Sequence, residues 1–358
     1  MNKTQNDAIK MQIFLERYKN GEGSKIVSLF DSANRDIAKA LKTTKGVYTK
    51  KRYQEIAQKV KESAKNLRGK IEGKTDAEGL ISYELAQSKK LIADGLGKDV
   101  ELTIPTVESV KAAALFKPAT DTLTYQSYLD GIEQGLYNVW DSNLRTGYLT
   151  GMTTKEITKN VLGSTVGEGK LMDFGAIRSL RNSVYANTRT LLQSIAEEAR
   201  MQVFAKNEDL LGDIAPDGKK YKFEYLATLD NRTCIVCGSM DGKKFATLAE
   251  CPRLPQHRGC RCLVIPYFNV EGETRAAKGG PEDSKVTFEE WLKKQDEATQ
   301  KDVLGKTRFE MFKSGDPISQ FVDNGKVLTI EQLKEKDDLR YNFFNKGKAK
   351  TFEEAKER

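Results

Sequence analysis

The sequence predicts a mainly α protein, an elongated helical body with a small embedded β-rich module and a helical C-terminal tail. Three observations predict it. Apolar residues recur at steps of three and four through most of the first two hundred positions. Alternation with period two appears only near residue 221, and all five cysteines and the single histidine fall within one 29-residue window, Cys234 to Cys262.

Taken in chain order, Ile26, Leu29, Phe30, Ala33, Ile37 and Leu41 form the first amphipathic stripe. Tyr53, Ile56, Ala57, Val60, Ala64, Leu67 and Ile71 form the second. A third runs Tyr125, Tyr128, Leu129, Ile132, Leu136, Val139, Trp140, Leu144, and a fourth Ile177, Leu180, Val184, Leu191, Ile195, Ala199. Between these two, Thr153-Thr-Lys-Glu156 has the form of a capping box that opens a short helix. Breaks are expected at Gly21-Glu-Gly23, around Gly73, at Pro105 and Pro118, and from Gly163 to Gly169. Tyr221 to Leu229, Lys244 to Leu248 and Cys262 to Tyr267 read as strands separated by turn signals at Asp241-Gly242 and Gly259. A polar stretch from Asn269 to Asp283 follows as a linker. Capping boxes at Thr287-Phe-Glu-Glu290 and Thr329-Ile-Glu-Gln332 then bring helices back, with one more short helix expected over Thr351 to Arg358.

A chain of 358 residues is long enough for two or three cores. The expected division is a basic helical region 1–120, a helical body 121–215, a β module 216–268, and a linker with helical tail 269–358. Mean hydropathy is −0.58, and no run approaches the roughly 18 apolar residues a membrane span requires. Met1-Asn-Lys-Thr lacks the order of a secretory signal, so a reducing cytoplasm is expected and structural disulfides are not.

A β module of about 50 residues cannot hold itself together by apolar burial alone, so a staple is expected. Cys234-Ile-Val-Cys237 has the spacing of a metal knuckle, and His257-Arg-Gly-Cys260-Arg-Cys262 offers the remaining ligands. A tetrahedral Zn²⁺ wants four such N/S donors, and a closed set of four is structural. The expected ligands are Cys234, Cys237, His257 and Cys260, with Cys262 the leading substitute and Cys251 the outsider. Buried reduced thiols, a disulfide formed on oxidation and a redox-active Cys-x-x-Cys remain as readings without metal.

Enzymatic readings of the same residues find no support. A zinc deaminase needs a His-x-Glu pair, and a His-Glu-x-x-His hydrolase needs two histidines where the chain has one. No Gly-rich loop of the phosphate-cradling kind is present. A non-enzymatic protein is expected.

Asp230-Asn-Arg-Thr-Cys234-Ile-Val-Cys237, then Asp241-Gly-Lys243, then Pro255-Gln-His257-Arg-Gly-Cys260-Arg-Cys262 resemble the signature of the Mu F-like minor head, or head morphogenesis, proteins of tailed bacteriophages. Ser183-Val-Tyr-Ala-Asn-Thr-Arg189, Phe288-Glu-Glu-Trp-Leu-Lys-Lys-Gln295 and Leu304-Gly-Lys-Thr-Arg308 resemble the family's flanking stretches. The resemblance covers roughly residues 125 to 340. It implies a minor capsid protein of the virion, in the head interior or at the portal vertex, assembled in the host bacterial cytoplasm. Its implied partners are the portal protein and other capsid or scaffold proteins, and its implied work is head assembly, DNA packaging or genome delivery. Cys251 departs from the pattern as an additional thiol. Asp230 is expected to accept amides in the turn before the knuckle, and Arg232 to pair with it or with a partner.

The net charge of +8 is concentrated at the start, where residues 1–75 hold eighteen Lys/Arg against eight Asp/Glu. Such an arm attracts nucleic acid by counterion release, although a solvated lysine-rich helix face is the commoner meaning of a charge run. The alternative function is therefore a sequence-nonspecific DNA-binding zinc protein that meets packaged DNA. It would use Lys50, Lys51 and Arg52 with Arg232, Arg253, Arg258 and Arg261 around the zinc module.

Overall fold

A computed structural model describes residues 4–42, 49–73, 77–97, 100–166, 170–173 and 175–336. The helix expected over 351–358 lies outside them. The described residues divide into two compact units, one drawn from Met1–Ile9, Gly212–Thr247 and Cys262–Arg358, the other from Lys10–Leu211 and Leu248–Arg261. Among the described residues, no helix is long and apolar enough to cross a membrane.

The helices of the second unit are α1 (Thr4–Lys42, from Lys10 onward), α2 (Lys50–Glu72), α3 (Ala77–Leu96), α4 (Val107–Phe116), α5 (Tyr125–Thr150), α6 (Thr154–Leu162) and α7 (Arg178–Lys206), and the four apolar stripes lie on α1, α2, α5 and α7. Strands β1 (Ser164–Val166) and β2 (Lys170–Asp173) pair antiparallel between the last two helices. One apolar core joins Phe30 and Leu41 of α1, Val60 and Leu67 of α2, Leu136, Trp140 and Leu144 of α5, Ile157 of α6 and Val184 of α7. That core spans both 1–120 and 121–215, so the division expected at 120 is not a structural one. Trp140 is fully buried, and its indole N–H donates to Asn34 Oδ1 at 2.8 Å, which satisfies the only polar atom it carries.

The capping box at Thr153 and Glu156 forms as expected, and Gly73 closes α2. Gly21-Glu-Gly23 breaks nothing, because α1 runs straight through it. A Cβ on Gly23 would lie 2.9 Å from the Tyr185 ring, so this glycine serves close packing against α7 rather than a turn. The same unit buries the ion triad Glu84–Arg200–Glu197, with the guanidinium 3.0 Å from Glu84 and 2.7 Å from Glu197. Burial pushes Glu84 up to about 6, and Arg200 opposes the rise.

In the first unit, β3 (Asp213–Ile214) pairs with β4 (Lys220–Tyr221). Next comes a three-stranded antiparallel sheet in which β5 (Phe223–Leu226) lies between β6 (Lys244–Phe245) and β7 (Leu263–Pro266). The one-turn helix α8 (Ile235–Met240) connects β5 to β6. The expected strand over 221–229 is thus shorter, and all four β5 residues are buried, Glu224 included. A central strand covered on both faces loses its polar side.

The stretch Asn269 to Asp283, expected as a linker, contains a hairpin of β8 (Thr274–Ala277) and β9 (Gly280–Asp283). It turns on Gly279 and Gly280, whose φ values of +105° and +136° only glycine adopts readily. Helices α9 (Phe288–Lys293), α10 (Glu297–Leu304) and α11 (Lys306–Lys313) follow, then the small hairpin β10 (Val322–Asp323) and β11 (Lys326–Val327). A final helix over 330–336 opens on the reciprocal Thr329–Gln332 hydrogen bonds. Phe288, Trp291, Phe309 and Phe321 from this region share one core with Leu229 and Ile235. The residues expected as a tail are therefore part of the β module's own core.

Candidate metal centre

The first ligand pair is built by α8. Asp230 sets up the approach. Its Oδ1 accepts the Arg232 backbone N–H at 2.9 Å, its carbonyl accepts that of Thr233 at 3.2 Å, and the Arg232 guanidinium stands 3.5 Å from its other oxygen. The expected Asp230 turn and Arg232 pairing are both present. Cys234 is the N-cap of α8, and its Sγ accepts the Cys237 N–H at 3.4 Å. One helical turn places residues i and i+3 on one side, so Cys-x-x-Cys at a helix start aims both sulfurs the same way. Gly238 follows because α8 lies hard against α9: a Cβ there would meet the Phe288 ring at 2.3 Å.

The second ligand group is built by a turn in which Cys260 N–H donates to the His257 carbonyl at 3.1 Å, with Gly259 in the left-handed region at φ +77°. Thr190 of α7 accepts the Gly259 N–H at 3.3 Å, and the Arg258 guanidinium donates to the Ser183 carbonyl at 3.1 Å, so the turn is anchored on both sides of its apex. His257 Nδ1 lies 3.0 Å from the Arg258 carbonyl. A carbonyl only accepts, so a hydrogen bond there needs the tautomer protonated at Nδ1, the one that leaves Nε2 for a metal.

Within this window the ligand atoms of Cys234, Cys237 and His257 all lie within 4.8 Å of one another, and so do those of Cys237, Cys260 and Cys262. Cys237 belongs to both groups. Around one tetrahedral ion with metal–sulfur bonds near 2.3 Å, sulfurs stand roughly 3.8 Å apart. Each group by itself offers three donors within 4.8 Å, and the two groups share Cys237. The groups supply thiolates and an imidazole and no carboxylate, a soft donor set unsuited to Mg²⁺ or Ca²⁺. Cys237, Cys260 and Cys262 are 2%, 2% and 3% exposed, so an ion there would be shielded from water. The cluster can hold a metal ion.

Cys251 belongs to neither group. Burial pushes its thiol up to about 12, with Glu197, Glu250 and Glu208 adding to the rise, so it stays protonated at neutral pH. The basic residues fare differently from one another. Arg253 donates to the Pro118 carbonyl, Arg258 to those of Asn182 and Ser183, and Arg232 pairs with Asp230. Arg52 is buried, Arg261 is half-buried, and Lys50 and Lys51 are exposed at the start of α2.

Two residues that matter to the site were not expected. Asp241, which the sequence marks as a turn and as part of the family signature but not as a structural tie, caps the end of α8 and forms a buried pair at 3.1 Å with Arg275, in the stretch expected as a linker. Only the aspartate had a signal, its place at the end of the knuckle helix. No protein-family model matches the chain, and no curated protein and no solved structure matches it either.

Proposed function

We propose that this chain is a non-catalytic head-assembly protein of a tailed bacteriophage, of the Mu F-like minor head kind, stapled by one structural Zn²⁺. The observation that carries this reading is the placement of the motif's own residues. Cys234, Cys237, His257, Cys260 and Cys262, which carry the family resemblance, are also the residues whose ligand atoms gather. Zinc suits a donor set of thiolates and an imidazole, and a site closed by four protein ligands would stabilise folding rather than turn over a reaction. Portal and capsid or scaffold proteins are the proposed partners, and the head interior or portal vertex the proposed location.

Peptide mass spectrometry of purified virions and procapsids of the encoding phage tests this. The reading expects the chain in one or both at minor-component abundance. Its absence from both would overturn the reading.

The DNA-binding alternative is supported by the +10 balance of residues 1–75 and by exposed Lys50 and Lys51. The engagement of Arg232, Arg253 and Arg258 in contacts within the protein weakens it. Binding of the purified chain to duplex DNA should fall steeply from low to physiological salt if this alternative holds. No binding at low salt would remove it.

A further inference from the structure

The first turns of α1 are seated in the β unit against two buried carboxyl groups. Glu273, immediately before β8, accepts the Gln5 backbone N–H at 2.9 Å and also that of Asn6, two of the amides a helix start leaves unpaired. Glu224, on the central strand β5, accepts Gln5 Nε2 at 3.1 Å. Thr4 and Ala8 are 3% and 1% exposed, and both glutamates are 8% exposed. Beside this contact lies a cavity of about 160 Å³ bounded by Gln5, Glu224, Lys244, Tyr267, Glu273 and Ser284.

We propose that residues 4–9 form a releasable latch, seated through Glu273 and Glu224 and loosened as the pH rises through neutrality. The contact is made by the first turns of a helix, where local opening costs least, and a cavity lies beside it. Its pH dependence follows from Glu224. Burial pushes this carboxyl up to about 7, with Lys244 of β6, Arg275 of β8 and Gln5 lowering it and Asp241 raising it further. Tyr267 and Lys285 also border the cavity, and Glu273, itself raised by burial, is in turn faced by Asp7.

Release uncovers Glu224 to water, where its affinity for a proton returns toward that of an ordinary carboxyl. The seated state therefore binds more protons than the released one. Seating is fully favoured below the ordinary glutamate range and weakens as the pH climbs through the seated value. Between pH 6 and pH 8 this linkage amounts to about a tenfold change in the seating equilibrium.

Hydrogen–deuterium exchange of the full chain at about pH 6 and about pH 8, corrected for intrinsic rates, reads this directly. Amides of residues 4–9 should lose about tenfold of their protection relative to a reference peptide in α5, and Glu224→Gln should remove most of that loss. A change no larger than in the α5 peptide would overturn the proposal. So would a Glu224→Gln protein that keeps half or more of the loss. The comparison on the unaltered chain stands even if the variant fails to fold.

Discussion

At Asp241 one carboxylate gathers hydrogen bonds from four directions. Ala227 N–H donates at 2.6 Å, Phe288 N–H at 2.7 Å, and both terminal nitrogens of Arg275 at 3.1 Å. It thereby ties the end of β5, the end of α8, the start of α9 and the β8 hairpin to a single point. Removing one partner of a buried pair strands the other charge. Asp241→Asn is expected to cost about 3 to 5 kcal/mol of folding stability, read from the denaturant midpoint; a loss below about 1 kcal/mol would contradict that role. Gly238→Ala would drive a methyl into the Phe288 ring, an overpacking that costs about 1 to 3 kcal/mol. Thermal melts would register it as a drop of several degrees, and an unchanged melting temperature would show that α8 and α9 can separate without penalty. Among the cysteines, Cys237→Ser should abolish metal uptake because Cys237 belongs to both ligand groups, whereas Cys251→Ser should leave stoichiometry unchanged. Equal metal loss in the two variants would refute that division.

At the scale of elements, the helices were legible wherever one face alone is buried. The stripes at Ile56, Val60, Ala64, Leu67 and Ile71 and at Leu129, Ile132, Leu136, Trp140 and Leu144 are the buried faces of α2 and α5. The Thr153, Thr287 and Thr329 caps open helices where expected. Capping is a local contract between a hydroxyl and the amide three residues on, so sequence alone suffices to read it. Thr153→Ala should lower stability by about 1 kcal/mol, measurable by chemical denaturation, with no effect on metal content. Where reading failed, the deciding contacts were distant. Gly23 looks like a break until Tyr185, far along the chain, is seen against it. The β8–β9 hairpin looks like a linker because its one buried side chain, Arg275, is charged and its partner Asp241 lies 34 residues earlier. Period-two alternation vanishes in β5 because Glu224 is buried too, in the company of Gln5.

For the molecule as a whole, the division into regions was the least legible feature. Apolar surface left over on the β module at Leu229 and Ile235 is covered by Phe288, Trp291 and Phe309, residues expected to lie in a tail. The unit is consequently larger than its strands alone suggest. If the proposed zinc is bound, chelation is expected to loosen the local structure around residues 234–262 with the helical content largely retained. Candidate ligands were legible because a rare residue type, five cysteines and one histidine in 358 residues, was confined to one window. Which of the five candidate donors would meet on one ion was not, since spacing fixes how candidates pair and not how the two turns come together.

The central claim, a closed structural zinc site, is tested most directly by metal analysis of the untagged full chain together with Co²⁺ substitution. The account predicts one zinc per chain and, on replacement, the intense visible absorption of tetrahedral cobalt bound through thiolates, both lost on prolonged chelation together with part of the fold. Less than about half an equivalent of zinc, with an unchanged circular dichroism spectrum after chelation, would contradict it.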